Sequence, residues 1–303
     1  MNLNIQNETA KLKEVILGQP QSNGKVPTLA ECYDAKSYHT VENGVYPTEQ
    51  DIIDEMEGFR AVLEKHGVKV HRPEIIKNCN QVFSRDVSFV IEDKLIIANM
   101  ISDRAEEQKA YQAIYDKINK ENIVYLPENA TAEGGDVMPW NDYIFVGVCY
   151  QEHMDKIKTA RTNKSAVDFL QELFPNKKVI GLELKKHDTN PYKGILHLDC
   201  TFNIVGEGKC IIYKDGFVNK KDYDVLVEIF GKENCFEITE EEMFEMNPNI
   251  FSISPKVVVS DAAFTRMNQQ LRDWGITVEE IPYREISKMG GLLRCSTMPL
   301  VRE

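Results

Sequence analysis

The chain has 303 residues, with 36 Lys and Arg against 48 Asp and Glu, a formal net charge of −12. That balance disfavours non-specific binding to nucleic acid or to an anionic membrane, while leaving room for an acidic pocket that takes a cationic ligand. With 42% hydrophobic and 28% charged residues, the composition is that of a folded globular protein and excludes a disordered one.

In chain order, the opening MNLNIQNETAKLKEVILG lacks the basic head and apolar stretch of a signal peptide, and KEVILG (13–18) reads as a strand. EQDIIDEMEGFRAVLEKHG (49–67) reads as a helix. Its Ile52, Ile53, Met56, Phe59, Val62 and Leu63 recur at three- and four-residue steps, and Gly67 stops it. The strand VKVHRP follows. VSFVIEDKLIIANM (87–100) is a hairpin turning at Glu92 and Asp93, followed by a helix over 104–119 and the strand IVYLP (123–127). This ββαβ order recurs at intervals of roughly sixty residues. YIFVGV, a helix over 163–174 and KKVIGLEL make one recurrence. TFNIVG, KCIIYK, a helix over 220–232 and CFEIT make the next, and KVVVS, a helix over 261–275 and VEEIPY the last. No Gly/Ser/Pro-rich linker interrupts the chain, so residues 1–303 are expected to form a single α/β domain of about five ββαβ units closed in a ring.

Seven cysteines stand at 32, 79, 149, 200, 210, 235 and 295, without CxxC or CxH spacing. Neither a zinc site nor a disulfide framework is expected. No apolar run approaches the roughly 18 residues of a membrane span, and the expected location is cytoplasmic. No glycine-rich phosphate-binding string is present. The acidic run EITEEEMFEM (237–246) is expected to be a solvated helix start.

Polar residues interrupt the apolar pattern in four places. Arg85 and Asp86 stand at the entry of the first hairpin. Glu133 and Asp136 flank two glycines ahead of another strand, either as a polar turn or as a place where backbone approaches a ligand. In GILHLDCTF (194–202), His197 and Asp199 alternate with Leu196, Leu198 and Cys200, which in a strand puts both polar side chains on one face. The chain ends in GGLLRCSTMPLVRE, where glycines and a proline bracket Cys295. A cysteine becomes a nucleophile when a base or cation favours its thiolate, and His197 can carry the proton. Several carboxylates around that pair would hold a planar cation rich in N–H donors, for which guanidinium is the natural fit.

The strings FSRD (83–86), EGGD (133–136), HLDCTF (197–202) and GGLLRCSTMPLVRE (290–303) resemble, in order, the motifs of the guanidino-group modifying or pentein superfamily. That superfamily comprises arginine deiminases, amidinotransferases and dimethylarginine dimethylaminohydrolases. The resemblance implies an α/β-propeller of five pseudo-symmetric ββαβ units and a cysteine-dependent enzyme needing neither metal nor organic cofactor. It implies Cys295 as nucleophile, His197 as general acid and base, and Glu133 either orienting the histidine or binding the guanidinium. Asp86, Asp136 and Asp199 would hold the guanidinium, and Arg104, Arg161 and Arg294 would anchor the rest of the substrate. Three functions stay open. One is a hydrolase of the guanidino or ureido group of arginine or a close derivative. The second is an amidinotransferase, and the third a non-catalytic binding protein of this fold. The expected partner is a small molecule, not nucleic acid or membrane, with a homodimer left open.

Overall fold

The computed structural model describes all 303 residues. In chain order the elements are β1 Leu12–Leu17, α1 Ala35–Glu42, α2 Glu49–Lys65, β2 Lys69–His71, β3 Ser88–Ile91, β4 Lys94–Ile97, α3 Gln112–Tyr115, β5 Ile123–Tyr125, β6 Val137–Trp140, β7 Tyr143–Val148, α4 Lys164–Leu173 and β8 Lys178–Glu183. They continue with β9 Phe202–Val205, β10 Lys209–Ile212, α5 Lys220–Phe230, β11 Cys235–Glu237, α6 Glu240–Phe244, β12 Phe251–Ser254, β13 Val257–Asp261, α7 Thr265–Asp273, β14 Thr277–Ile281, α8 Arg284–Ser287 and β15 Thr297–Arg302.

The strands form five three-stranded sheets, β15-β1-β2, β3-β4-β5, β6-β7-β8, β9-β10-β11 and β12-β13-β14. In each, the middle strand runs antiparallel to the first and parallel to the third. This is the expected ββαβ unit. The first unit is completed from the far end of the chain, because β15 pairs antiparallel with β1 from Leu12↔Arg302 to Leu17↔Thr297. N- and C-terminal strands therefore share a sheet, and the expected closure is the pairing of the two chain ends.

Local chemistry sets the elements. α2 begins at a capping box between Thr48 and Asp51, buries Ile52, Met56, Phe59 and Leu63, and ends before Gly67, whose φ is +75°. The acidic run gives α6, capped in the same way by Thr239 and Glu242. The helix expected over 104–119 is instead 3-10 over Ser102–Tyr111, with α3 only four residues long. A 3-10 turn stacks residues three apart. That brings Arg104, Glu107 and Ala110 onto one buried face, where the arginine and glutamate pair.

The first strand of each unit is entered through a tight turn. These turns are Ser84–Asp86, Gly134–Asp136, Leu198–Cys200, Asn247–Asn249 and the segment 293–296. They are hydrogen-bonded to one another in a closed ring. Gly135 N donates to Asp86 Oδ1 at 3.1 Å, and Leu198 N to Asp136 Oδ1 at 2.9 Å. Asn249 Nδ2 donates to the Asp199 carbonyl at 3.3 Å and Cys295 N to Asn249 Oδ1 at 3.0 Å. Arg85 N completes the circuit by donating to the Cys295 carbonyl at 3.0 Å. The polar motifs read from the sequence all fall on this ring.

Candidate active site

His197 and Asp199 do not alternate along a strand, as expected from the sequence. His197 caps the Leu198–Cys200 turn, and the strand begins only at Phe202. The tight turn sends the two side chains to different partners. His197 Nε2 lies 2.9 Å from Glu133 Oε2, and its Nδ1 faces Asp86 Oδ1 at 3.7 Å. Asp199 receives Arg294 Nη1 at 2.8 Å, and its carboxylate oxygens stand 3.5 and 3.7 Å from Cys295 Sγ. Cys295, His197, Glu133, Asp86, Asp136 and Asp199 are all buried.

The glycines of the EGGD string have a different reason from those weighed in the sequence. Neither has a positive φ. A Cβ on Gly134 would collide with the Arg85 carbonyl oxygen. One on Gly135 would stand 2.7 Å from His197 Cγ and Nδ1 and 2.9 Å from Asp86 Oδ1. The close approach is to the imidazole and the neighbouring turn. At the C-terminal motif, Gly290 does adopt φ +89°, and a Cβ on Gly291 would lie 2.5 Å from the Phe83 ring and 2.9 Å from Cys295 Cβ. These glycines let the segment around Cys295 pack tightly against Phe83.

The three arginines expected to grip the substrate are engaged inside the protein. Arg104 gives Nη1 to Asp86 at 2.7 Å and Nε and Nη2 to Glu107 at 2.7 and 2.8 Å. Arg161 gives Nη1 to Glu133 at 2.6 Å, Nε to the Lys158 carbonyl at 2.6 Å and Nη2 to the Tyr33 carbonyl at 2.7 Å. Arg294 binds Glu8 through Nε and Nη2, Asp199 through Nη1, and the Val137 carbonyl. In this structure the arginines fix the carboxylates. Asp136 likewise has protein partners: it accepts from Thr162 Oγ1 at 2.7 Å and from Leu198 N, and so positions the backbone next to His197.

At this centre two buried polar atoms have no partner, His197 Nδ1 and Glu133 Oε1. An unpaired buried polar atom costs about 1–3 kcal/mol, which a ligand or water pairing with these two would relieve. Asp86, Glu133 and His197 bring donor atoms within 4.8 Å of one another, which by distance alone could hold a metal ion. The Arg104 and Arg161 guanidinium groups already contact Asp86 and Glu133, however, and a divalent cation would meet that positive charge.

The charges divide the roles. Burial pushes the Glu133 carboxyl up, but Arg161, the His197 hydrogen bond and Arg104 outweigh it and hold it well below the carboxylate range. For His197, burial lowers the pKa, yet Asp86, the bond to Glu133 and Asp136 raise it above the usual 6.5. The Cys295 thiol is raised far above the usual 9.0, by burial first and then by Asp199, Cys200 and Asp86. Cys295 thus rests as the thiol, and the charges around His197 favour its protonated form. Sequence reasoning missed Asn249, Lys186 and Glu8. Lys186 Nζ holds the Ile195 and Leu196 carbonyls at 3.0 and 2.7 Å, just before His197. None of the three belongs to a quoted motif.

Segments 19–50, 149–160 and 186–194 come together next to these residues. Tyr33 accepts Arg161 through its carbonyl and Asn80 through its hydroxyl, and its ring lies 5.8 Å from both the Arg104 and Arg161 guanidinium carbons. Tyr33 and Asp34 line a cavity of about 570 Å³ together with Asn23, Tyr46, Asn80 and Asp103. The loop at 186–194 is tied to the one at 149–160 by Asp188, which accepts from Lys158 N and from Thr159.

Residues 36–302 match the family described as N,N dimethylarginine dimethylhydrolase, eukaryotic. YkgA, an uncharacterized protein of Bacillus subtilis (strain 168), is 29% identical over 97% of this chain and 94% of its own. The arginine deiminase of Oenococcus oeni is 25% identical over 74% of this chain and 61% of its own, and the mitochondrial glycine amidinotransferase of Xenopus laevis 23% over 98% and 82%. Among solved structures, SxtG, an amidinotransferase from Microseira wollei, superposes with a TM-score of 0.76 at 19% identity, covering 99% of this chain and 97% of that one. The N-terminal domain of ArgZ, an arginine dihydrolase from cyanobacteria, gives 0.78 at 15%, covering 96% and 98%. The five sheets and these neighbours establish the five-unit α/β-propeller.

Proposed function

The chain belongs to the N,N-dimethylarginine dimethylhydrolase family of the pentein superfamily, and on that premise we propose that it is a cysteine-dependent hydrolase of a small guanidino or ureido compound, arginine or a close derivative, with the whole chain as one catalytic unit. The observation that carries the reading is the convergence of Cys295, Asp199, His197, Glu133 and Asp86 on one buried ring of turns, with two partnerless atoms left over. Asp86 and Asp199 hold the guanidinium nitrogens. Asp136 and Arg294 are positioning residues, for His197 and Asp199 respectively. Arg104 and Arg161 fix Asp86 and Glu133.

A cationic guanidinium beside Asp199 offsets the negative charge that keeps the Cys295 thiol protonated, so substrate binding favours the thiolate, whose proton passes to solvent and is regained when the thiol is restored. Sγ attacks the central carbon, and the C–S bond forms as the C–N bond to the departing amine breaks. His197 Nε2–H donates to Glu133, which leaves the partnerless Nδ1 as the atom that delivers the proton to the amine. Water then adds to the same carbon, giving its proton to Nδ1. The C–S bond breaks, and a ureido product leaves with the thiol restored.

A second reading, amidinotransfer, is supported by the likeness to glycine amidinotransferase over 98% of this chain. There an amine takes the place of water. A non-catalytic role is disfavoured by the convergence of a cysteine, a histidine and four carboxylates on one buried centre. Mass spectrometry of products from arginine, citrulline, dimethylarginine, agmatine and guanidinoacetate, each with and without glycine or lysine, tests the choice. Ureido product or ammonia without added amine supports the hydrolase. Product only with added amine supports the transferase. Full turnover by Cys295→Ala overturns both.

A further inference from the structure

We propose that Asn249 is a positioning residue for the nucleophile, holding the Cys295 thiolate through its side-chain amide; the inference rests on Cys295 being the nucleophile. Asn249 closes the Asn247–Asn249 turn and is fully buried. Its Oδ1 accepts from Cys295 N at 3.0 Å and from Leu292 N at 3.2 Å. Those two N–H donors fix the orientation of the amide, so the NH₂ group faces the other way. There it donates to Cys295 Sγ at 3.0 Å and to the Asp199 carbonyl at 3.3 Å. The Asn249 carbonyl in turn accepts from Arg294 N at 3.0 Å. One side chain thus clamps the backbone of residues 292 and 295 and presents an N–H to the sulfur.

The surroundings of Cys295 make that donor consequential. Asp199 lies 3.5 Å from the sulfur, and Cys200, Asp86 and the buried Tyr283 hydroxyl are the other titratable groups near it. Burial, Asp199, Cys200 and Asp86 all oppose ionisation, and the bond from Asn249 acts the other way. The nearest guanidinium, that of Arg294, is committed to Asp199 and Glu8. An amide dipole aimed at the sulfur stabilises its charge without adding an ion that would repel a cationic substrate. The Oδ1 contacts fix where the sulfur sits, and the Nδ2 contact favours its charged form.

The two functions separate in Asn249→Asp. The carboxylate retains acceptors for Cys295 N and Leu292 N but removes the donor and adds charge next to the sulfur. The variant should keep its fold, checked by near-UV circular dichroism and thermal unfolding. Its Cys295 should react with 2-chloroacetamidine along a pH profile moved about one to two units to the alkaline side. The substrate kcat at pH 7 should fall by about 10- to 100-fold. Asn249→Ser, with a hydroxyl too short to reach both clamp and sulfur, should show the same alkaline displacement with a smaller loss of kcat. Folded Asn249→Asp with an unchanged alkylation profile and kcat within about threefold of wild type overturns the proposal. If Asn249→Asp does not fold, the Asn249→Ser profile decides alone. Alkylation needs no substrate, so failure of the hydrolase reading shows up separately, as absence of turnover in the wild type.

Discussion

Replacing Arg294 by methionine separates a positioning arginine from a substrate anchor, the role expected from its place beside Cys295. Its guanidinium bridges Glu8, Asp199 and the Val137 carbonyl, joining the N-terminal segment, the His197 turn and β6. Methionine fills much of the volume and leaves two buried carboxylates without their cation. Breaking one buried pair costs about 3–5 kcal/mol. A chain of this length has an unfolding entropy of about 0.6 kcal/mol/K, so the midpoint should drop by about 5–8 °C at pH 7.

The pH dependence carries a sign. In the native protein burial pushes Glu8 up, but Arg294 and Arg85 outweigh it and hold the carboxyl below its ordinary 4.5. Its contribution is present above pH 4.5 and is lost as pH falls through the lower folded value. In Arg294→Met burial dominates, so the folded pKa rises and the carboxylate destabilises the fold above that same pH. The stability gap between the two proteins should therefore be widest near pH 7 and narrow below pH 4.5. Scanning calorimetry across pH 4–7 reads it. Activity falls under either role, because Asp199 loses its partner. The refuting result is a midpoint unchanged within about 1 °C together with a KM raised about 100-fold. Glu8→Gln should reproduce part of the midpoint loss, an outcome a substrate anchor does not predict.

Gly135→Ala places a methyl group 2.7 Å from the imidazole; kcat/KM should fall by about 100-fold or more, and a fully active variant would remove the packing argument. Arg161→Ala withdraws the cation that, with the His197 bond, holds Glu133 low. The acid limb of the kcat/KM profile should move to higher pH, and an unmoved limb would mean that Glu133 does not titrate with activity. Cys295→Ala should fold normally and turn nothing over. Deleting residues 295–303 removes β15 and Arg302, which reaches the Ala10 and Ser252 carbonyls; circular dichroism should show an unfolded chain. A folded truncation would contradict the role of β15 in closing the first unit.

The propeller was legible because ββαβ order is written in short-range periodicity: β-branched runs, a capped amphipathic α2, and turns at fixed intervals. The 104–119 helix was misjudged because its apolar spacing suits a helix, while the contact of Arg104 with Asp86 comes from another part of the chain. The pair at 197 and 199 was read with strand period, and the turn that separates them is set by Asp136 accepting from Leu198 N. Arginines 104, 161 and 294 look free in a sequence because nothing local shows the carboxylates that fold onto them. Asn249 lies in NPNIF, a string that carries meaning only once its turn is seen beside the others.

The turns also bear on why the proposed nucleophile can occupy position 295. In three of the five, the last residue is Asp86, Asp136 or Asn249, and its side chain accepts a backbone N–H from the next turn. Of the other two, one ends in Cys200 and the other carries Cys295 ahead of its last residue, Ser296; neither cysteine provides such an acceptor. After Cys200 comes the turn containing Pro248, which has one N–H fewer to satisfy. After Cys295 the ring is closed by its carbonyl, which accepts from Arg85 N. The sulfur at 295 therefore accepts no backbone N–H of the ring, only the Asn249 side-chain amide, whereas the residue before it and the asparagine opposite both bind backbone. A reactive side chain free of structural duty can change charge during a reaction without loosening the scaffold that aims it. The same division predicts where substitutions separate: at 295 they should cost activity alone, and at 249 or 294 activity together with stability or geometry.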